Sequence, residues 1–182
     1  MFKYLTYSTK LNPKYAEGHF NLGIIYLKKG DFDNAAHSFL NTIRIRPEDS
    51  NALNMLGVAF FKKGNIKSSI SYYLKAIKLN PLNDKIYNNL AIAYSNSGNL
   101  EAAVSIYLKA LKIDSKSFST LFNLGRIYQQ KGDLEKALVT FEKIFKLKNV
   151  NSLDLVFNEI GITLQKKEDF NSAIKAYLKA IK

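Results

Sequence analysis

Residues 84–117 read DKIYNNLAIAYSNSGNLEAAVSIYLKALKIDSKS, and the rest of the chain repeats this pattern. Its apolar residues recur at helical spacing on both sides of a short polar break formed by Ser97, Gly98 and Asn99. Gly98 can adopt the left-handed conformation that ends a helix, and Asn99 can accept the N–H groups that open the next one. The stretch therefore predicts two helices joined by a tight turn.

The same residue types return every 34 residues along the chain. The first helices share a small residue at Gly23, Gly57, Ala91 and Gly125, and an aromatic at Tyr26, Phe60, Tyr94 and Tyr128. The turns share Gly30, Gly64, Gly98 and Gly132, and the second helices share Phe39, Tyr73, Tyr107 and Phe141. Prolines at positions 13, 47 and 81 mark the ends of units. A fixed period of this length is typical of a repeat array.

These columns resemble the tetratricopeptide repeat (TPR) family, whose helical hairpins carry this pattern of Leu-Gly, Tyr, Ala, Phe, Ala and Pro. The resemblance implies an all-α fold: a right-handed α-solenoid, or superhelix, of antiparallel helix-turn-helix hairpins whose first helices line a concave groove. It implies less about function, because the matching residues are packing residues.

The predicted array is a single domain, 1–182, that begins and ends inside a repeat. Residues 1–15 are predicted to be the second helix of a truncated repeat, with Leu5 in the column of Phe39. Repeats follow at 16–49, 50–83, 84–117 and 118–151, and an incomplete fifth at 154–182. Its last helix is expected to leave an apolar edge open, formed by Ile174, Tyr177, Leu178 and Ile181. Either more chain follows in the natural protein, or the open ends allow self-association.

The spacing changes once, after the fourth repeat. Gly161 lies 36 residues after Gly125, so the connection near residues 149–152 has gained two residues. Insertions in arrays map to loops. This one either bends the superhelix slightly or lengthens a loop neutrally, and we favour the neutral interpretation. In the fifth turn Glu168 replaces glycine, with Asp169 still able to cap the next helix.

Charge and composition limit the partners. The chain has a formal net charge of +12 and no cysteine, which excludes disulfides and thiolate metal sites. Most lysines stand near the ends of predicted helices, where the helix dipole favours them, so nucleic acid and membrane lipid are disfavoured as partners. A basic surface for either is kept as an alternative. Without a signal peptide or a membrane-spanning run in this chain, a cytoplasmic location is predicted, unless a signal lies outside it.

Residues suited to catalysis are scarce. The two histidines are His19, in a packing column with Leu53, Tyr87 and Leu121, and His37, which is predicted to lie at the surface. Carboxylates do not cluster, and no turn extends to a phosphate-binding motif. We predict no enzyme activity, no catalytic or metal-binding residue, and no cofactor.

The resemblance places any binding site at the inward positions of the first helices. These positions are rich in asparagine, and the predicted peptide-binding residues are Asn21, Asn54, Asn88, Asn89, Ile92, Phe122, Asn123, Arg126 and Asn158. An amide offers both a donor and an acceptor to an extended peptide backbone. The column of Asn21, Asn89 and Asn123 resembles the asparagine ladder in the TPR superhelix of O-GlcNAc transferase. Met55 and Glu159 interrupt it, and the abundance of asparagine in this chain is the alternative explanation.

Two further features of the groove have open interpretations. Arg126 replaces an otherwise apolar column that holds Ile24, Val58, Ile92 and Ile162. It is expected either to anchor a partner carboxylate or to pair with Glu159. Phe20 and Phe122 are either exposed anchors for a partner or packing residues.

A carboxylate clamp for the acidic C-termini of chaperones is disfavoured. It would need a Lys and an Asn in one repeat, an Asn in the next, and a Lys with an Arg in the third. Phe20, Ile24 and Met55 stand at the first three places, and only Lys85 agrees. We therefore predict a non-catalytic scaffold or adaptor that binds a peptide segment of a partner protein in the groove. The alternative is a substrate-presenting region of a larger enzyme such as a glycosyltransferase.

Overall fold

The computed structural model describes residues 7, 9, 11–148, 150 and 152–181, which form α-helices joined by turns with no strand among them. The all-α class is therefore confirmed, while the helix expected around Leu5 lies outside the described residues. In chain order the described helices are α1 (Ala16–Lys28), α2 (Phe32–Ile45), α3 (Ser50–Lys62), α4 (Ile66–Leu79), α5 (Asp84–Asn96), α6 (Leu100–Ile113), α7 (Phe118–Lys131), α8 (Leu134–Ile144), α9 (Leu153–Lys166) and α10 (Phe170–Ala180).

The helices group into two compact units, Met1–Ser97 (unit 1) and Gly98–Lys182 (unit 2). In unit 1, α1 pairs with α2 and α3 with α4, and in unit 2, α7 pairs with α8 and α9 with α10. First helices also contact first helices, α1 with α3, α3 with α5, and α7 with α9. Each unit therefore presents one face built from consecutive first helices, which we call its first-helix face.

The hairpin core explains the period seen in the sequence. A Cβ atom added to Gly57 would lie 2.6 Å from the Tyr73 ring, and one added to Gly125 would lie 2.4 Å from the Phe141 ring. Both rings are buried, and burial raises the pKa of the Tyr73 hydroxyl. The small-residue column therefore exists because an aromatic ring of the second helix lies directly on the first helix.

The turns between paired helices use left-handed backbone. The turn glycines have φ values from 76° to 83° at Gly30, Gly64, Gly98 and Gly132. Glu168 holds the same place in the last hairpin with a φ of 63°, a conformation that costs a residue with a side chain about 1–2 kcal/mol. Asp169 accepts the Ser172 N–H at 3.1 Å, so the predicted cap is confirmed.

The apolar edge of α10 differs in one residue from the expectation. Ile174, Leu178 and Ile181 are 57%, 51% and 80% exposed. Tyr177, which was expected to join them, instead packs its ring against Gly161 and donates its hydroxyl to Gln165 at 2.9 Å. Its column is the core column of the other hairpins, so the expectation that it lies on the open edge was wrong.

The longer connection in unit 2 begins with an early helix end. Helix α8 has 11 residues and ends at Ile144, whereas α2, α4 and α6 each have 14. The next three residues, Phe145, Lys146 and Leu147, form turns. The N–H group of each donates to the carbonyl oxygen of the residue three positions earlier, at 3.2, 3.2 and 2.9 Å. The second helix of this hairpin therefore gives up its last turn to the loop that carries the two extra residues.

Candidate peptide-binding faces

The first-helix face of unit 1 carries five of the predicted binding residues on α1, α3 and α5. Asn21 is exposed, and Asn88, Asn89 and Ile92 are partly buried. Asn54 is only 6% exposed. It is therefore placed to act on neighbouring residues rather than on a ligand directly.

Asn54 and Asn89 are brought together by the stacking of α3 and α5. The Asn89 Nδ2 donates to the Asn54 Oδ1 at 3.0 Å. An asparagine amide has two N–H groups and an acceptor oxygen, so this bond leaves Asn89 with capacity for further hydrogen bonds. The buried residue fixes the orientation of the partly exposed one.

The first-helix face of unit 2 carries the other four residues, on α7 and α9. Arg126 and Asn158 are exposed, and Phe122 and Asn123 are partly buried. Arg126 Nε lies 3.5 Å from Glu159 Oε1, with the two side chains 59% and 15% exposed. The pairing alternative for Arg126 is thus observed, and because the contact uses Nε, the two terminal NH2 groups of the guanidinium can still meet another acceptor.

Arg126 also acts on a buried phenol. Burial raises the pKa of the Tyr107 hydroxyl, and the Arg126 charge opposes this shift. The guanidinium is therefore near enough to act electrostatically on a buried ring of α6 as well as on a carboxylate of α9.

The two phenylalanines of interest pack against the core. Phe20 meets Phe39 edge to face, with ring centroids 5.6 Å apart. Phe122 stacks on Phe118 at 5.7 Å and tilts against Phe141 at 6.1 Å. Both rings are partly buried, as the packing interpretation predicts.

A buried polar group that the sequence analysis missed links α7 to α9. Gln129 Nε2 donates to the Glu159 carbonyl at 2.9 Å and to Thr163 Oγ1 at 2.6 Å. The Thr163 hydroxyl in turn donates to the Glu159 carbonyl at 2.7 Å. A signal was present, since Thr163 stands in a column that holds Ile25, Ala59, Ala93 and Ile127.

Salt bridges between successive hairpins were also missed. Three lysines at the C-terminal ends of first helices pair with an acid of the preceding hairpin: Lys63 with Asp33, Lys131 with Glu101, and Lys167 with Glu135. The Lys131 contact is 3.1 Å long and lowers the pKa of Glu101. Surface pairs of this kind contribute little to stability, because solvent screens them. We call this set the ion-pair ladder; it neutralises part of the basic charge.

The histidines lie as expected. His19 is partly buried, with Nε2 3.1 Å from the Pro13 carbonyl oxygen, and His37 is exposed. Within the described ranges, no group of three or more His, Cys, Asp or Glu residues could hold a metal ion. Among the same residues no helix is long and apolar enough to cross a bilayer.

Paired helices with glycine turns and ring-on-glycine cores define an α-helical repeat protein. Models of the tetratricopeptide repeat match residues 3–51, 20–84, 82–149 and 156–182, and the chain belongs to this family. The repeat typically mediates protein–protein interactions. The family assignment made from the residue columns is confirmed.

Several solved structures share the fold. MamA aligns with a TM-score of 0.77 and 23% identity over 88% of this chain and 92% of its own. YrrB, described as a TPR protein with an unusual peptide-binding site, aligns with a TM-score of 0.72 and 18% identity over 97% of this chain and 90% of its own. PilF of Pseudomonas aeruginosa aligns with a TM-score of 0.79 and 22% identity over 91% of this chain and 76% of its own. At these identities the likeness concerns the fold alone, and the curated protein sequences contain no match.

Proposed function

We propose that this chain is a non-catalytic scaffold that binds a peptide segment of a partner protein on its first-helix faces. The observation that carries the proposal is the amide pair of Asn54 and Asn89, in which a buried side chain orients a partly exposed one. The family role supports it, as does the peptide-binding site named for YrrB.

An oriented amide suits the recognition of a peptide backbone. A peptide in extended conformation offers N–H and C=O groups, and an asparagine can satisfy one of each. A side chain that is already held in place loses less conformational entropy on binding, so its hydrogen bonds contribute more to affinity. Asn21, Asn123 and Asn158 would add further amide contacts, each within its own unit.

Arg126 gives the unit 2 face a charge preference. Its guanidinium is held by Glu159, and its terminal NH2 groups would bind a carboxylate of the partner with charge-assisted hydrogen bonds. We therefore expect the peptide to carry an acidic side chain or a C-terminal carboxylate where it passes α7.

The test starts from a pull-down with the full chain as bait, at moderate and at high salt, with bound proteins identified. Peptides of a salt-resistant partner are then titrated by fluorescence anisotropy against the chain and against an Asn89→Ala/Asn123→Ala/Arg126→Gln variant. We expect a loss of affinity of about tenfold or more, from three lost polar contacts. The variant will also melt at a lower temperature, because Asn89→Ala removes the bond to Asn54.

A control variant tests whether the loss of affinity is specific to the first-helix faces. Asn41 and Asn171 lie on the second helices α2 and α10, one in each unit. An Asn41→Ala/Asn171→Ala variant should bind the peptide as the unmodified chain does. Unchanged affinity in the first-helix variant, or equal losses in both variants, would contradict the proposal.

A further inference from the structure

A second surface of unit 2 has the features of a binding site. A cavity of about 410 Å³ lies beside the connection that follows α8. Its walls include three lysines and three apolar side chains, namely Lys116, Lys146, Lys148, Phe118, Leu147 and Val150. None of the residues that were predicted to bind a peptide on the first-helix faces lines it. We call it the lysine cavity.

The lysine cavity carries unbalanced positive charge. All three lysines are exposed, and among the described residues none of their ammonium groups has an ion-pair partner. No carboxylate is among the described residues that line it. The lysines of the ion-pair ladder differ in this respect, because each of them faces an acid.

Two helix N-termini border the same cavity. Helix α7 begins at Phe118, and Ser152 precedes α9; both residues are part of the lining. The N-cap side chains, Ser117 and Ser152, make no capping hydrogen bond to their helices. Uncapped N–H groups and the positive end of the helix dipole add to the attraction for an anion.

The corresponding connection in unit 1 has a different composition. There the cavity beside residues 46–49 is lined by Arg46 together with Glu48 and Asp49. Asp49 caps α3 by accepting the Ala52 N–H at 2.9 Å. The combination of lysines, an apolar wall and uncapped helices therefore distinguishes the lysine cavity from the cavity at this connection of unit 1.

We propose that the lysine cavity binds an acidic peptide segment with a large apolar side chain next to its carboxylates. The lysines suit any anion, but the apolar wall formed by Phe118, Leu147 and Val150 would stay uncovered by a phosphate or a nucleic acid backbone. A peptide that carries both groups covers both surfaces. The volume is within the range of about 300–1,000 Å³ that is typical of ligand pockets.

The experiment selects the ligand without assuming its sequence. A displayed library of random 12-residue peptides is panned against the full chain and counter-selected against a Lys116→Glu/Lys148→Glu variant. The enriched peptides are synthesised and titrated. We expect them to combine Asp or Glu with Leu, Ile or Phe, and to lose about tenfold or more in affinity for the variant, since two attractive contacts become repulsive.

Two control variants make the result specific. Lys78→Glu/Lys109→Glu changes the net charge equally at exposed lysines outside the cavity, and it should bind like the unmodified chain. The Asn89→Ala/Asn123→Ala/Arg126→Gln variant should also retain binding of the selected peptides. The proposal for the first-helix faces and the proposal for the lysine cavity are therefore tested independently of each other. Circular dichroism spectra of all the full-length variants show whether they are folded.

Three outcomes would overturn the proposal. The first is a library without peptides that depend on Lys116 and Lys148. The second is selected peptides that keep their affinity after Leu, Ile or Phe is replaced by Ser, because the apolar wall would then have no role. The third is an oligonucleotide or inorganic phosphate that displaces the selected peptides at low concentration, which would assign the cavity to polyanions.

Discussion

The two units link successive first helices at the same register position with different chemistry. In unit 1 the residue at this position is Asn89, and its amide bonds to the buried amide of Asn54 at 3.0 Å. In unit 2 it is Glu159, and its carboxylate meets the Arg126 guanidinium at 3.5 Å. A neutral, partly buried link in one unit is thus replaced by a charged and half-exposed link in the other.

The difference shows how an array can vary a contact without changing its core. The neutral amide pair depends on geometry and burial, so dissolved ions have little effect on it. The ion pair is screened by salt, since Arg126 is largely exposed. Gln129 and Thr163 supply neutral hydrogen bonds between the same two helices, so the ion pair is one of several polar contacts that join α7 to α9.

The largest loss of stability is expected in the hairpin core, where an aromatic ring packs on a glycine. The two units should not differ in this contact. Gly57→Ala and Gly125→Ala should each destabilise the fold by about 1–2 kcal/mol, because overpacking outweighs the gain in helix propensity. Urea denaturation of both variants measures this. A loss of stability in one unit and a gain in the other would show that the two cores are not equivalent.

The amide link is expected to show a salt-independent coupling. A double-mutant cycle of Asn54→Ala and Asn89→Ala should give an interaction free energy of about 1 kcal/mol, the usual value for one hydrogen bond. Denaturation at low and high sodium chloride should give the same coupling. A coupling that disappears with salt would contradict the description of this link as neutral and buried.

A substitution in the last turn of unit 2 is expected to raise the stability of the chain, whereas a substitution at the same place in a turn of unit 1 is expected to lower it. Glu168→Gly is expected to stabilise the chain by about 0.5–1 kcal/mol, since glycine adopts positive φ without strain but is more flexible when unfolded. Gly64→Ala, at the same place in unit 1, should destabilise it by a similar amount. Thermal melts of the two variants would move in opposite directions; a fall for both would refute the strain at Glu168.

The smallest effect is expected at the charged link. Arg126→Gln in a cycle with Glu159→Gln should give a coupling of about 0.5 kcal/mol at low salt, because exposed ion pairs contribute little. At high salt the coupling should vanish. A coupling as large and as salt-resistant as that of the amide pair would remove the contrast between the units.

The sequence predicts the fold so well because one contact generates the period. The ring of Tyr73 on Gly57 recurs as Phe141 on Gly125, and each needs the same two residue types at a fixed separation. The left-handed turns add a glycine column for the same reason. Such local requirements are visible in a single chain without knowledge of how hairpins stack.

The candidate site is less predictable, because it depends on contacts between hairpins. Asn54 shares a column with the predicted inward residues, yet the neighbouring helix buries it, and this could not be known from its column alone. Gln129 and Thr163 escaped notice because polar residues at buried positions need a partner in the next repeat to be recognised. The extra residues after α8 were visible, but the lysine cavity beside them depends on where α8 ends.

The ion-pair ladder also has one exception in the sequence, at which both of its columns change together. Repeats with nearly the same core can stack in the wrong order, and the core alone offers little to prevent it. One second helix has Lys67 in the acidic column, and the first helix that follows it has Ser97 where every other repeat has lysine. Stacking any other repeat there would set lysine against lysine. The paired exchange therefore avoids a like-charge contact at the place where lysine replaces the acid, even though each salt bridge contributes little to stability.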